Sequence, residues 1–269
     1  MVEWSDQPVI EIPFILDRRL IVVQATVNGA FCNFIFDTGA PGVVLNEKYF
    51  NQDDSFTIHN IDFYGNKIRQ QLLTIMDLSG VEQPLSSTIH GLIGKELFER
   101  YAILFDYSSK TITLIAPDHL SAFEKHTLKR KRASVVALNM RDHIPLFTIE
   151  IKEQQLTIGI DSGAEVNLMD ESYFKLFRNR MNLRKIKMNR LIGVNQLPKT
   201  VKKVPIRALE IGGILFTHQA TVFLDLAPIN RAGQTTIDGL IGYEVLSEQP
   251  TVLSYSSSEL IFYEREVMI

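Results

Sequence analysis

Asp37-Thr38-Gly39-Ala40 and Asp161-Ser162-Gly163-Ala164 are two copies of one short sequence, and they decide the fold of this chain. Each copy follows an apolar, β-rich run, residues 34–36 in the first half and 156–160 in the second. An apolar run that ends in turn-forming residues is typical of a strand that stops at the acid. A lone Asp-(Ser/Thr)-Gly occurs by chance in about one chain in ten of this length. The second copy is therefore the informative one.

The two copies belong to a longer internal repeat. Residues 91–94 and 239–242 both read Gly-Leu-Ile-Gly, and each follows its acid in the same order. Farther along, residues 104–109 match residues 252–257, with Tyr-Ser-Ser in both, at the same distance from their own Gly-Leu-Ile-Gly. A repeat of this kind indicates a duplicated structural unit. We predict two similar β units, one built around each acid.

Length and composition fit two β lobes. The 269 residues are 45% hydrophobic and 22% charged, which is enough for one large or two small cores and is not typical of disorder. The predicted class is all-β, with two pseudo-symmetric lobes and a few short helices. We expect an N-terminal lobe over residues 1–117 that contains Asp37, a linker over residues 118–133, and a C-terminal lobe over residues 134–269 that contains Asp161.

The same pieces precede the acid in both halves, namely strands joined by tight turns such as Asn28-Gly29. After the acids, the pattern predicts hairpins with tips at residues 64–66 and 191–195, and a longer helix over residues 170–181. The predicted strands before the acids are residues 9–16, 20–27, 30–36, 144–151 and 156–160.

Several classes of function are disfavoured. A formal charge of −3 gives no general affinity for nucleic acid. No apolar run approaches the roughly 18 residues that cross a bilayer, and residues 1–7 are too polar for a signal peptide, so we expect a cytoplasmic protein without a membrane partner. The single cysteine, Cys32, is interpreted as a small apolar side chain on a strand rather than a nucleophile. The histidines show no ligand spacing, so we expect no metal and no other cofactor.

Two neighbouring carboxyl groups suit hydrolysis. They cannot both ionise cheaply, so the pair holds one proton, and it is an acid and a base at once. The ionised group can accept a proton from a water between them while the protonated group polarises a peptide carbonyl. Gly39 and Gly163 allow close approach of the backbone, and Thr38 and Ser162 supply hydroxyls that can tie one loop to the other.

The paired Asp-(Thr/Ser)-Gly-Ala and Gly-Leu-Ile-Gly sequences resemble those of aspartic proteases of the pepsin and retropepsin clan, and their spacing extends the likeness over nearly the whole chain. The resemblance implies two β lobes with a cleft between them. It implies Asp37 and Asp161 as the catalytic dyad, and a cross-lobe hydroxyl grip made by Thr38 and Ser162. The remaining residues that it assigns to dyad support are Gly39, Ala40, Gly163 and Ala164.

The chain is similar to retropepsins in lobe size and in the alanine after each glycine, and to pepsins in carrying two unequal lobes. We interpret it as a retropepsin-sized dimer fused into one polypeptide, hence a monomer with an internal pseudo-dimer. Retropepsins usually have an arginine brace after the second glycine; Lys95 and Tyr243 stand there, so that brace is absent or replaced. The resemblance places substrate-binding flap residues at Tyr64, Gly65, Ile192, Gly193 and Val194.

The function that the resemblance implies is an aspartic endopeptidase that hydrolyses peptide or protein substrates with a water activated by Asp37 and Asp161. Alanine at positions 40 and 164 cannot donate a hydrogen bond to the ionised dyad, so we expect a mildly acidic to near-neutral working range. Two alternatives stay open. One is a catalytically silent peptide-binding module of the same fold, and the other is an unrelated two-lobed β protein whose repeats are purely architectural.

Two basic stretches need an interpretation. Residues 129–132 read Lys-Arg-Lys-Arg and are interpreted as a solvated linker rather than a nucleic-acid or sorting patch. Residues 175–207 contain 11 Lys and Arg and no Asp or Glu. This segment either biases the cleft toward acidic peptides or protects exposed strand edges with lysine, and the sequence leaves both possibilities open.

Overall fold

The β-sheets of the chain repeat the symmetry of its sequence. The computed structural model describes residues 2–50, 59–70, 73–140, 144–191, 199–232 and 235–265. Strands make up 47% of the structure and helices 17%. The all-β class with a few short helices is therefore confirmed. None of the helices in the described part of the chain is long and apolar enough to cross a membrane.

Most strands are short and lie in antiparallel hairpins. Those of the first half are β1 (Val2–Glu3), β2 (Val9–Pro13), β3 (Ile15–Asp17), β4 (Leu20–Val27), β5 (Ala30–Phe36), β6 (Val44–Asn46), β7 (His59–Phe63), β8 (Asn66–Gln70), β9 (Thr74–Met76), β10 (Gly91–Ile93), β11 (Ala102–Asp106) and β12 (Thr111–Ile115). Those of the second half are β13 (Arg132–Ala137), β14 (Leu146–Ile151), β15 (Gln154–Ile160), β16 (Asn167–Asp170), β17 (Lys187–Leu191), β18 (Lys199–Ile206), β19 (Leu209–Ile211), β20 (Ile214–Phe216), β21 (Gln219–Leu224), β22 (Gly239–Ile241), β23 (Thr251–Ser254) and β24 (Glu259–Tyr263).

The helical segments are one or two turns long. The α-helices are α1 (Ser79–Glu82), α2 (Leu120–Phe123), α3 (Phe174–Phe177), α4 (Ala227–Ala232) and α5 (Tyr243–Leu246). The 3-10 turns are Lys95–Leu97, Pro117–His119, Glu171–Tyr173, Arg178–Arg180 and Leu183–Lys185, and Glu124–Leu128 is a π-helical turn. Residues 117–128, in the predicted linker, are thus helical turns, while the division of the chain at residues 117 and 133 stays a prediction.

One sheet belongs to each half. In the first half the strand order is β1-β8-β7-β4-β5-β10-β6-β9, with β3 on β4, and in the second it is β14-β15-β22-β16-β21-β18-β17. In both sheets the strand before the acid, β5 or β15, pairs in parallel with the Gly-Leu-Ile strand, β10 or β22. That strand pairs on its other side, antiparallel, with the strand after the acid loop. The two acids therefore occupy equivalent places.

The turns before the acids show the same equivalence. Asn28 and Gly29 join β4 to β5 with φ of 51° and 84°. Lys152 and Glu153 join β14 to β15 with φ of 51° and 65°. Positive φ at both central residues is the geometry of a type I′ hairpin turn, whose twist matches that of the strands. The second half adopts it without glycine because the strand pairing imposes it.

A third sheet joins the halves. Its order is β13-β24-β23-β11-β12-β2, so its two central strands come from different halves. Phe105 of β11 packs 6.1 Å from the ring of Phe36, which precedes Asp37. Phe98 stacks on the other side of Phe36 at 4.5 Å. This shared sheet and its aromatic core therefore support the acid loop from below.

Cys32 lies on β5, where its side chain is only 7% exposed. Burial raises the pKa of its thiol. A buried thiol with a raised pKa is a poor nucleophile, in agreement with its interpretation as an apolar strand residue.

The predicted helix over residues 170–181 is wrong. The structure has a 3-10 turn, the short helix α3 and a second 3-10 turn in its place. Tertiary contacts fix each piece separately: Tyr173 donates a hydrogen bond to Asp238 at 2.7 Å, and Phe174 and Phe177 pack at 5.2 Å and 6.1 Å from the ring of Phe223. Aromatic residues have modest helix propensity, so packing decides the backbone here.

The two hairpins with predicted tips at residues 64–66 and 191–195 are not equivalent, although their turn sequences are similar. The hairpin β7–β8 corresponds to β19–β20, because each precedes a strand, β9 or β21, that pairs in parallel with the strand after the acid loop. The hairpin β17–β18 is therefore additional in the second half. It accounts for most of the difference in length, since β6 ends at Asn46 and β7 begins at His59, while β16 ends at Asp170 and β19 begins at Leu209.

Gly91 offers a test of this framework. A Cβ at Gly91 would lie 2.1 Å from the carbonyl oxygen of Val44 and 2.7 Å from Cε1 of Phe34. Because Val44 belongs to β6, which pairs with β10 at this point, the backbone has no free space to retreat. We expect Gly91→Ala to lower the free energy of unfolding by about 1–3 kcal/mol, the usual effect of overpacking. Urea denaturation measures this, and an unchanged midpoint would show that β6 and β10 separate easily.

Candidate active site

The two acid loops have matching backbone geometry. The amide of Asp37 donates to the carbonyl of Ile93 at 2.9 Å, and the amide of Asp161 donates to the carbonyl of Ile241 at 2.9 Å. Each loop then closes on itself, because the amides of Ala40 and Ala164 donate to the carbonyls of Asp37 and Asp161 at 3.3 Å and 3.2 Å. Each acid is thus tied to the Gly-Leu-Ile strand of its own half.

The second glycine of each Gly-Leu-Ile-Gly packs directly under its acid loop. A Cβ at Gly94 would lie 2.4 Å from the carbonyl oxygen of Ala40, and a Cβ at Gly242 would lie 2.2 Å from that of Ala164. The next amides, of Lys95 and Tyr243, donate to the same two carbonyls at 2.9 Å and 3.0 Å. The alanines that the sequence assigns to dyad support therefore anchor the loops through their backbone.

The two carboxyl groups meet at the interface between the halves. A Cβ at Gly39 would lie 2.8 Å from Cγ of Asp161, and a Cβ at Gly163 would lie 2.7 Å from Cγ of Asp37. The amides of Gly39 and Gly163 donate to Oδ1 of the aspartate in their own loop, both at 2.8 Å. The carboxyl groups of Asp37 and Asp161 are also hydrogen-bonded to each other. Each carboxyl is therefore held between its own glycine amide and the Cα of the other glycine.

This environment changes the acidity of the pair. Burial, the charge of Asp37 and the hydrogen bond with Asp37 together raise the pKa of the Asp161 carboxyl well above its ordinary value. The hydrogen bond from the Gly163 amide acts in the opposite direction and is outweighed. Two coupled acids of this kind share a single proton over a wide pH range. The arrangement can both donate and accept a proton at one place.

The hydroxyls of Thr38 and Ser162 connect the loops across the interface. The amide of Thr38 donates to Oγ of Ser162 at 3.0 Å, and the amide of Ser162 donates to Oγ1 of Thr38 at 2.9 Å. Each hydroxyl in turn donates to the strand of the opposite half, Thr38 to the carbonyl of Ile160 at 3.3 Å and Ser162 to that of Phe36 at 2.8 Å. Both side chains are fully buried. We call these four hydrogen bonds the hydroxyl grip.

The structure describes two of the predicted flap residues, Tyr64 and Gly65, and their role in a flap stays a prediction. They form the β7–β8 turn, with φ of 53° and 90°. A Cβ on Gly65 would lie 3.1 Å from Oγ of Ser5, and the neighbouring Asn66 accepts a hydrogen bond from Tyr101 at 2.8 Å. Tyr101 leads into the shared sheet, so this turn lies on the base of the lobe. The two turn signals look alike in the sequence, although only the β17–β18 hairpin is additional.

The other predicted flap residues, Ile192, Gly193 and Val194, lie outside the described residues. They fall between β17 and β18, and β18 pairs with β21, which is next to β16 and the second acid loop.

Arg19 occupies a position that the sequence did not single out. It forms an ion pair with Glu244, and its guanidinium carbon lies 5.3 Å from the centroid of the Tyr243 ring. Arg19 belongs to the first half, whereas Tyr243 and Glu244 follow the second Gly-Leu-Ile-Gly. An ion pair between the two halves thus lies beside Tyr243. The feature of the sequence that could have indicated this contact is Glu244, an acid two residues after Gly242.

Tyr107 and Tyr255, the tyrosines of the Tyr-Ser-Ser repeat, lie beneath the acid loops. Tyr107 packs against Tyr243 with ring centroids 5.4 Å apart, and Nζ of Lys95 lies 5.8 Å from the ring centroid of Tyr255. Each tyrosine thus contacts the residue that follows the Gly-Leu-Ile-Gly of the other half. Burial is the main cause of the raised pKa of both hydroxyls. The repeat in this segment therefore has a structural role in joining the halves.

Within the described residues, no group of three or more His, Cys, Asp or Glu side chains is placed to hold a metal ion.

The hydroxyl grip can be tested with an isosteric change. In Thr38→Val, the buried amide of Ser162 loses its acceptor, and an unsatisfied buried group destabilises a fold by about 1–3 kcal/mol. We expect a loss of that size in urea unfolding. Thr221→Val is a matched control, since Thr221 is equally buried but its hydroxyl donates only to the carbonyl of Gln219, at 3.1 Å. An equal loss in both variants would contradict a special role for the grip.

Comparison with known proteins supports the fold. No protein-family model and no curated protein matches the chain. Among solved structures, the basic 7S globulin from soybean is similar with a TM-score of 0.51, 10% sequence identity, and coverage of 95% of this chain and 94% of that chain. That globulin has a pepsin-like aspartic protease fold, and 406 chains of solved structures match in all. At this identity the similarity shows the fold alone: the chain has the two-lobed, all-β fold of pepsin-like proteins.

Proposed function

We propose that the chain is an aspartic endopeptidase in which Asp37 and Asp161 activate the water that attacks a peptide bond. The observation that carries the proposal is the hydrogen-bonded pair of carboxyl groups at the interface, with the raised pKa of Asp161. Ion pairs that only stabilise a fold lower the pKa of an acid; here two acids are held together in spite of their mutual repulsion. The glycines and the hydroxyl grip maintain that contact, and a pair of acids that shares one proton is suited to proton transfer.

The chemistry follows from a single shared proton. The resting pair holds one proton, which belongs to the pair as a whole. In the steps that follow, that proton is on Asp161 and Asp37 is ionised. Asp37 accepts a proton from the water, whose oxygen bonds to the carbonyl carbon of the substrate, while Asp161 gives its proton to the carbonyl oxygen. The tetrahedral diol then collapses as the amide nitrogen takes the proton from Asp37, and the C–N bond breaks. The proton of a diol hydroxyl returns to Asp161, so the pair ends as it began.

The two halves provide the rest of the site. The substrate lies in the cleft between them, with the additional hairpin β17–β18 on the side of the second acid loop. Because Ala40 and Ala164 present methyl groups, neither side chain donates a hydrogen bond to the ionised carboxylate. We therefore propose a working range that is mildly acidic to near neutral, since such a hydrogen bond would lower the pKa of the pair.

Loss of either carboxylate tests the mechanism directly. We expect Asp37→Asn and Asp161→Asn each to reduce kcat/KM on a mixed peptide library by a factor of about 10²–10⁴, the usual contribution of general acid–base catalysis. Asp118→Asn changes an exposed aspartate in the same way and serves as the control. A statine-type peptide, which mimics the tetrahedral intermediate, should inhibit the unmodified protein. Peptide binding without cleavage would instead identify a silent peptide-binding module of the same fold.

The raised pKa of Asp161 also predicts how stability depends on pH. An acid whose pKa is higher in the folded state than in the unfolded state stabilises the fold at low pH, and this contribution is lost as the pH rises through the folded pKa. The unfolded pKa of aspartate is about 3.9. Asp161→Asn should therefore gain stability relative to the unmodified protein as the pH rises from that value toward neutrality. Urea unfolding at a series of pH values measures the difference, and a constant difference would show that the two carboxyls do not share a proton.

A further inference from the structure

A cluster of charged side chains lies beside the second acid loop, and it contains one cation more than its acids neutralise. From it we infer that Lys203 and Arg18 form a subsite that selects an acidic side chain of the substrate. This inference rests on the proposed function, because a peptide held at the carboxyl pair is what brings such a side chain to the subsite. The members of the cluster are four cations, Arg18, Arg19, Lys187 and Lys203, and three acids, Asp17, Glu165 and Glu244.

The place of Lys203 follows from the strand geometry. Lys203 is two residues after Val201 on β18, so the two side chains share one face of the sheet. Val201 is buried in an apolar cluster with Val166 and Leu240. Val166 comes two residues after Ala164 of the second acid loop, and Leu240 lies in the second Gly-Leu-Ile-Gly. Lys203 is also directly opposite Val222, another member of that cluster. It therefore projects from the sheet face that borders the second acid loop.

Glu165 brings the cluster close to the carboxyl pair, since it is four residues after Asp161. Glu165 is half-buried, and it feels the charges of Arg18 and Lys203. Lys203 is half-buried as well, and its electrostatic neighbours include Arg19, Glu244 and Glu165. These side chains come from four separate parts of the chain and interact with one another beside the second acid loop.

The charges in the cluster do not balance. Glu244 is committed to Arg19 by the ion pair, and it also accepts a hydrogen bond from the amide of Ala220 at 3.3 Å. Asp17 is a third acid near Glu165, and its carboxylate accepts hydrogen bonds from the amides of Ser86 and Ser87 at 2.9 Å and 2.6 Å, while the exposed Lys187 adds a fourth cation. Glu165 itself then faces two cations, Arg18 and Lys203. Among the described residues, neither of these two cations forms an ion pair. A carboxylate supplied by the substrate would restore the balance, and charge-assisted hydrogen bonds of this kind are among the strong ones.

Burial makes the excess charge effective. Desolvation lowers the pKa of Lys203, which shows that its ammonium group lacks part of its hydration. A partly desolvated cation interacts more strongly with an opposite charge than an exposed one does, because water screens it less. Arg18 is exposed and adds attraction at the rim.

The other lysines of residues 175–207 have different surroundings. Lys187 is opposite Lys203 on β17, but β17 is the edge strand of its sheet and Lys187 is exposed there. Lys202 is exposed on the other face of β18, with Nζ 5.1 Å from the centroid of the Phe174 ring. Lys202 lines a separate cavity that does not include the two acids. Within the described part of this segment, Lys203 is thus the lysine with surroundings suited to a subsite.

The first half has no equivalent cluster at the matching position. Glu165 follows Ala164, whereas the residue that follows Ala40 is Pro41. The hairpin β17–β18, which carries Lys203, has no counterpart among the described residues of the first half. The preference for an acidic side chain should therefore act on one side of the scissile bond.

The test uses pairs of peptides that differ only by Glu or Gln, with the exchange moved through each position on both sides of the cleaved bond. We expect the unmodified protein to cleave the Glu peptide about three- to tenfold faster in kcat/KM at one position or two adjacent positions on one side. Lys203→Met should abolish this ratio, and Arg18→Ser should reduce it. Lys202→Met, a change of the neighbouring lysine on the opposite face, should leave it unchanged. A Glu-to-Gln ratio near one at every position in the unmodified protein overturns the inference.

Failure of the subsite and failure of the proposed function are distinguishable. If the protein cleaves Glu and Gln peptides equally, the enzyme stands and the subsite falls. If it cleaves neither, the same Glu and Gln pair built into a statine-type peptide tests the subsite by calorimetry. Tighter binding of the Glu form that disappears in Lys203→Met supports the subsite without catalysis. Equal binding of both forms, or binding of neither, overturns it.

Discussion

The four hydrogen bonds of the hydroxyl grip are the constraint on which the rest of the site depends. Two carboxyl groups repel each other when both are ionised, so contact between Asp37 and Asp161 has to be imposed by the surrounding structure. The hydroxyl grip holds the two acids in contact, because each loop forms hydrogen bonds with backbone groups of the other half. These groups are buried, so the loss of one of these bonds would destabilise the fold. The shared sheet and the packing of Phe36 hold the loops from beneath. Separation of the halves would therefore expose unsatisfied groups at the site itself.

The duplicated sequence explains most of what could be predicted. Asp, Gly and a hydroxyl residue recur at one spacing because each has a partner in the opposite copy: Gly39 makes room for Asp161, and Gly163 makes room for Asp37. Each loop therefore needs the same residue types at the same positions, and this need is visible within a short stretch of sequence. For this reason the repeat itself predicts two similar β units, while the meeting of the acid loops is what the resemblance to aspartic proteases implies. The Tyr-Ser-Ser repeat carried the same type of information, but its contact across the halves was visible only in the structure.

What the sequence could not show depends on the path of the chain between the repeats. The turn at Tyr64 and the tip near Gly193 have similar turn signals, yet only strand pairing reveals that Tyr64 corresponds to Gly212. The prediction of one helix over residues 170–181 was wrong for a related reason, because the packing of Phe174 and Phe177 on Phe223 overrides the local preference for a helix. The pair Arg19 and Glu244 joins residues 225 positions apart. No short-range sequence pattern predicts a contact between residues so far apart along the chain.

The symmetric and the asymmetric parts of the molecule have different roles. The carboxyl pair requires near-equality of the two halves, since a shared proton needs two similar acids in similar surroundings. Recognition of a directional chain such as a peptide requires the opposite, because equal halves present the same surface to both ends of it. The additional hairpin, Glu165 in place of a proline, and the Arg19 contact all break the symmetry on the side of the second acid loop. The symmetric part of the molecule thus holds the carboxyl pair, while the asymmetric part adds charged side chains beside one of the two acid loops.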